Sequence, residues 1–373
     1  MTFRSVELRS EITAAGELRL SLDEREVGPA GPDEVVVRVD ATPINPSDLN
    51  QLLGPADLAT LERSGTPERP VVTATVPPHL VGMIASRADQ SLTLGVEGAG
   101  VVVEAGTNAQ HLVGTVVSAA PGQMYTQYRK LHASEVFPFP DGVTAQQGAS
   151  AFVNPLTALG MLSTMQLEGH SALVHTAAAS NLGQILNKIC IADGVEVVNV
   201  VRSSEQEEIL GSIGAMHIVN STDNDFHRRL TSAISATGAT LAFDAVGGGP
   251  LGGQILAAME EALLAKNSVP GPYGSPVHKQ LYVYGRLDRS ATAIPISVGM
   301  AWGAGGWLLP YHLMRIGPEE TQRLRARVAQ EITTTFATAY ATELTFAETL
   351  EVEAIRQCAR MATGEKYLLL PNG

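Results

Sequence analysis

Between residues 171 and 285 short apolar runs alternate with helical patterns, and few folds accommodate that rhythm. The runs SALVHT (171–176), VEVVNVV (195–201), MHIVN (216–220), ATLAFDAVGG (239–248) and QLYVYG (280–285) read as strands. Between them LGQILNKICIAD (182–193), SEQEEILGSI (204–213), DFHRRLTSAISATG (225–238) and PLGGQILAAMEEALLA (250–265) read as helices. The strands are apolar at successive positions, so both of their faces need cover. That is the signature of a parallel sheet with helices on each side, an α/β doubly wound arrangement. VNPLTALGMLSTMQL (153–167) adds a leading helix, with Gly169 placed where a C-cap sits.

The first 150 residues follow a different pattern. GPDEVVVRVDATPIN (31–45), LGVEGAGVVVEAG (94–106) and HLVGTVVSAA (111–120) are short strands bounded by turn formers, which suggests a β-rich barrel or roll. Residues 54–93 are proline-rich and read as a long surface excursion, helical around ADLATLERS (56–64). The end of the chain, EEITTTFATAYATELTF to GEKYLLLPNG, mixes helix and strand and is expected to return to this first domain. Ala291 to Met314 holds no Asp, Glu, Lys or Arg over 24 residues. Pro295, Pro310 and four glycines argue against a membrane span there, so a buried strand and loop at a subunit interface is expected.

The charge balance of −13 repels a phosphate backbone, and 5% aromatic residues leave few platforms for stacked bases, which argues against nucleic acid as a partner. Two cysteines, Cys190 and Cys358, supply neither a disulfide framework nor a four-thiolate zinc site. The start, MTFRSVELRSEITAAG, lacks an apolar run of signal-peptide length, so a cytoplasmic protein is expected.

The clearest chemistry follows the strand at 171–176. Ala177, Ala178, Ala179, Ser180, Asn181, Leu182 and Gly183 connect it to the next helix in an A-x-x-S-x-x-G pattern, a relative of the glycine-rich dinucleotide turn. Small residues let the backbone approach a pyrophosphate, and the helix N-terminus supplies amide donors and a positive dipole end. The second strand is followed by Arg202, 19 residues after Gly183. An acidic residue near that spacing would hold the ribose hydroxyls of NAD; an arginine suits the 2′-phosphate of NADP(H). Ser203 and Ser204 add hydroxyls, with Ser204 a candidate N-cap. Val246 and Gly247 follow the fourth strand, and Tyr284 and Gly285 end the fifth, where a nicotinamide would lie.

INPSDL (44–49), LGVEGAGVVVEAG (94–106), FPFPDGV (137–143), VNPLTALGML (153–162), the 171–183 turn, FDAVGG (243–248) and TGEKYLLLP (363–371) together resemble the medium-chain dehydrogenase/reductase superfamily. The resemblance implies a GroES-like β-rich catalytic domain at 1–150, completed by 315–373, and a Rossmann domain at 151–314. It also implies an active site in the cleft between them, and a homodimer. Where the zinc alcohol dehydrogenases of that superfamily carry a ligand Cys and a ligand His, this chain has Asn45 and Val96, and neither can replace them. The resemblance therefore narrows to the zinc-independent quinone oxidoreductases and trans-2-enoyl-thioester reductases.

The reaction implied is hydride transfer from NADPH to a small molecule, either a quinone or a C=C conjugated to a carbonyl. Asn45 would orient a carbonyl or amide, and Tyr128, with Tyr125 nearby, is the nearest proton-donor candidate. Thr157 and Trp307 would face the cofactor, and Lys366 would reach its phosphates. Enoyl reductases carry a tyrosine shortly after the NPSD-like segment, whereas QLLGPADLATLERSG here has none. An NADPH-binding protein without useful turnover is the alternative.

Overall fold

The structure is a computed structural model that describes residues 1–266 and 271–373. The chain divides into two compact units, Met1–Val153 with Arg325–Gly373, and Asn154–Leu324. The divisions fall 3 residues beyond the 150 boundary and 10 beyond the 314 boundary read from the sequence, each within a helix, Val153–Leu167 or Leu309–Gln330.

The first unit opens with an antiparallel hairpin, β1 (Phe3–Ile12) and β2 (Glu17–Val27). Next come β3 (Glu34–Pro43), α1 (Pro46–Leu53), β4 (Asp57–Gly65), β5 (Pro70–Thr75) and β6 (Leu92–Thr93). The segment closes with β7 (Gly98–Ala105), β8 (Val116–Ala119), β9 (Tyr128–His132), β10 (Val136–Pro138) and α2 (Ala145–Gly148). One sheet runs β4-β5-β2-β1-β6. The helix expected at 56–64 is a strand instead. β4 pairs antiparallel with β5, which pairs in turn with β2. Leu61 is buried and Leu58 partly buried against the same core while the other residues of β4 are exposed, so two apolar contacts and a hydrogen-bond ladder override the local helical pattern. Asp57, Glu62 and Arg63 then decorate an edge strand, which discourages further pairing.

In the second unit α3 (Val153–Leu167), whose first residue belongs to the first unit, leads into β11 (Ala172–Thr176), α4 (Asn181–Asp193), β12 (Glu196–Val201) and α5 (Ser204–Ser212). Then follow β13 (His217–Asn220), α6 (Phe226–Thr237), β14 (Leu241–Asp244), α7 (Leu251–Lys266), β15 (Lys279–Val283), β16 (Trp302–Gly306) and α8 (Leu309–Gln330). All six strands run parallel in the order β13-β12-β11-β14-β15-β16. Numbered within the unit, that is 3-2-1-4-5-6, the doubly wound dinucleotide-binding order, with its switch point between β11 and β14. Val174, Val198, Leu230, Ile255 and Leu281 pack its core.

The uncharged 291–314 stretch supplies β16, the edge strand of this sheet, and the start of α8. It is less buried than expected: Ile296, Met300, Tyr311 and Met314 are exposed, and they lie in the loop before β16 and on α8 after it. Among the described residues no helix is long and apolar enough to cross a membrane.

The chain then returns to the first unit with β17 (Thr342–Thr345), α9 (Phe346–Thr349), α10 (Val352–Ala359) and β18 (Tyr367–Leu370). β18 pairs antiparallel with β3, Leu369 opposite Thr42, and completes the sheet β10-β8-β7-β3-β18-β17, with β9 paired to Glu34–Arg38 of β3 on the edge opposite β7.

At the base of the second unit Lys279 and Glu260 form a buried ion pair at 2.5 Å, with side-chain exposures of 0% and 3%. Glu260 also accepts the Ser275 backbone N–H. Removing one partner strands the other charge in the interior. Lys279→Met is expected to cost about 3–5 kcal/mol in chemical denaturation, and adding Glu260→Leu to recover part of that loss.

Candidate functional site

The turn after β11 is built as its small residues suggest. Ala177 adopts φ +50°, the left-handed region a glycine usually fills, and Ser180 caps α4 by accepting the Gly183 N–H. A Cβ on Gly183 would lie 2.1 Å from the Ala178 carbonyl oxygen, so only glycine allows this approach of helix to turn. The N-terminal end of α4 therefore stands at the C-terminal end of β11, with Ala178 and Ala179 buried and Leu182 in the first turn. Asn154 on α3 donates to Asn181 Oδ1 at 2.6 Å, tying the start of one helix to the start of the other; Thr157 lies on the same helix, nearly buried.

Arg202 follows directly on β12 and is exposed. Its backbone N–H donates to Gln206 Oε1 at 3.0 Å, and its guanidinium pairs with no carboxylate among the described residues. Ser203, rather than Ser204, is the N-cap of α5, because Ser203 is the residue in extended backbone and accepts the Gln206 N–H.

On the other side of the switch point, Thr176 donates to Asp244 Oδ1 at 2.6 Å and accepts the Ala245 N–H. Asp244 also accepts the N–H groups of Val246 and Gly247, which folds that loop into a tight turn. A Cβ on Gly247 would lie 2.5 Å from the Gly285 carbonyl oxygen, so the loops after β14 and β15 touch through backbone alone. Tyr284, just beyond β15, hydrogen-bonds His175 on β11, O to Nε2 2.7 Å. Burial drives His175 down to about 3 and the Tyr284 phenol upward, so the pair is uncharged.

The first unit holds a cluster of its own. Pro46 begins α1, and Asp48 reaches back to accept the Asn45 N–H while its other oxygen accepts the Val96 N–H, both at 2.9 Å. Asn45 donates to Glu97 Oε1 at 3.0 Å and accepts from Lys366 Nζ at 3.2 Å. The second oxygen of Glu97 accepts the N–H groups of Phe152 and Val153 at the start of α3. Asn45, Asp48 and Glu97 are buried, whereas Lys366 keeps part of its surface exposed. Burial pushes Asp48 up to about 6 and Glu97 upward as well, while the nearby Lys366 ammonium opposes both shifts. Lys366 itself is lowered by burial, against the pull of the two carboxylates.

The remaining candidates are dispersed. Lys366 is held at Asn45, within the first unit, rather than presented by the second unit's nucleotide turn. Trp307 donates to Thr164 Oγ1 and packs against Phe243 and His312, in the interior of the second unit. Tyr128 on β9 stacks on Phe3, whereas Tyr125 is fully buried, donates to the Pro43 carbonyl and lies beside Asp48. Sequence reasoning did not single out Asp48, Glu97, Thr176, His175 or Asp244. Each is a polar residue inside an otherwise apolar motif, and that was the available signal.

Among the described residues no three His, Cys, Asp or Glu side chains gather as a metal site. The thiols of Cys190 and Cys358 are buried and pushed up to about 12.

Residues 31–151 match the alcohol dehydrogenase GroES-like domain. The chain is 27% identical over 208 residues to the mitochondrial enoyl-[acyl-carrier-protein] reductase of Bos taurus, covering 54% of this chain and 48% of that protein. It is 24% identical over 226 residues to the quinone oxidoreductase of Salmonella typhimurium, covering 58% of this chain and 64% of that one. The matches thus span about half to two-thirds of these curated relatives. The solved quinone oxidoreductase of Escherichia coli complexed with NADPH shares the fold, with a TM-score of 0.66, 17% identity and coverage of 99% of this chain and 100% of that one. Fold and site together define a two-unit protein with a dinucleotide-type Rossmann sheet and a GroES-like partner unit. The chain is thus similar to quinone oxidoreductases and enoyl reductases, and its first unit to the GroES-like domain of alcohol dehydrogenases.

Asp48 yields a pH prediction. Its folded pKa of about 6 lies above the ordinary 3.8, so the folded state holds a proton that the unfolded chain has released. The resulting stability is full below pH 4 and is lost as pH rises through about 6, a contribution of roughly 2–3 kcal/mol. Asp48→Asn is expected to flatten urea-unfolding stability across that window. It also lowers stability overall by about 1–3 kcal/mol, because one backbone N–H loses its acceptor.

Proposed function

We propose that this protein is an NADP(H)-dependent oxidoreductase that passes a hydride to a quinone or to a C=C conjugated to a carbonyl, without zinc. The observation that carries the reading is the switch-point turn, capped by Ser180 and closed by Gly183, with the unpaired Arg202 at the end of the next strand. The residues present fit the cofactor. Backbone from Ala178 to Leu182 would receive the pyrophosphate at the α4 N-terminus, and Arg202 would grip the 2′-phosphate. Val246, Gly247, Tyr284 and Gly285 would border the nicotinamide end. The bound dinucleotide supplies the hydride; the protein orients the acceptor and keeps water away.

Asn45 is the residue proposed to orient the acceptor. Lys366 and Glu97 fix its amide, one bonding its oxygen and the other its nitrogen. Zinc independence goes with this reading, because Asn45 and Val96 offer neither a thiolate nor an imidazole. The names of the relatives agree with a quinone or enoyl acceptor. A cytoplasmic homodimer goes with this reading.

The test is NADPH consumption with a panel of quinones, enones and an enoyl thioester. Turnover of the quinones or enones supports the reading. Turnover of the thioester alone selects the enoyl-thioester alternative, and tight NADPH binding with no acceptor oxidising it sinks the enzyme reading. One equivalent of zinc in the purified protein would overturn the metal-free part. Arg202→Ala is expected to weaken NADPH binding by about 1.5–3 kcal/mol and to leave NADH binding nearly unchanged in parallel titrations.

A further inference from the structure

His175 and Tyr284 form a pair to which the reading above gives no chemical task. His175 is fully buried, and its Nε2 lies 2.7 Å from the Tyr284 hydroxyl oxygen with the two rings stacked at 13°. Among the described residues its Nδ1 has no hydrogen-bond partner. Tyr284 keeps part of its surface exposed.

A neutral imidazole carries one N–H, and its position decides what Tyr284 can do. If Nδ1 holds the proton, a buried N–H goes unsatisfied and Tyr284 spends its own proton on Nε2. If Nε2 holds it, the unpartnered atom is a bare acceptor and His175 donates to Tyr284. An orphaned buried N–H is the rarer outcome in folded proteins. The same unit holds a second example. Thr164 donates its single hydroxyl proton to the Gly160 carbonyl and accepts the Trp307 N–H. His312 Nδ1, 3.1 Å from that hydroxyl, must therefore donate, and its unpartnered Nε2 is the bare acceptor. In that case the lone nitrogen is the one without a proton.

We propose that His175 is the Nε2–H tautomer, donates to Tyr284, and so leaves the Tyr284 proton free as a hydrogen-bond donor to the carbonyl oxygen of the hydride acceptor. This rests on the function proposed above. Hydride addition forms a C–H bond at the β-carbon, shifts the C=C pair toward Cα and the carbonyl pair onto oxygen. The oxyanion accepts the Tyr284 hydrogen bond. Tyr284 keeps its proton, and the α-carbon later takes one from water. Burial raises the phenol, which suits a group that donates a hydrogen bond without ionising. Tyr284 is thus a catalytic residue, and His175 is the residue that positions it.

Two measurements on the full chain test this. ¹⁵N NMR of imidazole-labelled protein without nucleotide reads the His175 tautomer directly; Nε2–H is expected, and Nδ1–H overturns the proposal. Tyr284→Phe is expected to lower kcat for an enone on the order of 100-fold while the NADPH Kd, read by nucleotide fluorescence, moves by no more than about threefold. A merely structural role would instead move Kd or stability and spare kcat. If wild type turns over and Tyr284→Phe retains its kcat, the proposal alone fails. If wild type binds no NADPH, the functional reading fails and the Tyr284 role falls with it.

Discussion

One short hydrogen bond, from Thr176 to Asp244 at 2.6 Å, joins the ends of the two strands that flank the switch point. Much of the second unit's chemistry hangs on it. Asp244 spends its remaining capacity on the N–H groups of Val246 and Gly247, so the loop beyond β14 is drawn in against the loop beyond β15. That approach brings Tyr284 to His175, and it leaves room for backbone alone at Gly247 and Gly285. Both partners are fully buried, so their bond is made in a low-dielectric setting where an unmade one would be costly.

The first unit solves a different problem. It buries two carboxylates, Asp48 and Glu97, and satisfies them mainly with backbone N–H groups and one amide. Each carboxylate consequently holds a loop in place: Asp48 joins the start of α1 to the strand-entry residue Val96, and Glu97 joins Asn45 to the start of α3. Lys366 brings a single positive charge to this acidic pocket from the far end of the sequence. Charge, cap and connection are therefore one network, and a change at any member is felt at the others.

Much of this was legible in the residues, for identifiable reasons. The parallel sheet announced itself because strands buried on both faces cannot hide their apolar runs. The nucleotide turn was readable through Gly183 even though Ala177 and Ser180 replace expected glycines, since Ala177 takes the left-handed conformation and Ser180 supplies a cap. Residues 56–64 misled, because one buried leucine in a charged segment fits a helix or an edge strand equally well, and only pairing with β5 decides. The meeting of Lys366 with Asn45 was not legible, because sequence distance conceals that β18 lies beside β3. His175 and Tyr284 are 109 residues apart, and no local pattern marks a contact of that kind.

The strand β18 has a consequence for how the molecule is assembled. Its partner β3 is laid down early, yet residues 154–324 are all synthesised before β18 exists. The second unit, whose strands pair within one contiguous stretch, can finish folding while the end of β3, Thr42 and Pro43, still lacks its partner. The first unit must then recruit β17 and β18 across a sequence gap as large as a whole domain, a slow, high-contact-order step. During that interval β9 already covers Glu34–Arg38, so the part of β3 left waiting is the short end that β18 later pairs.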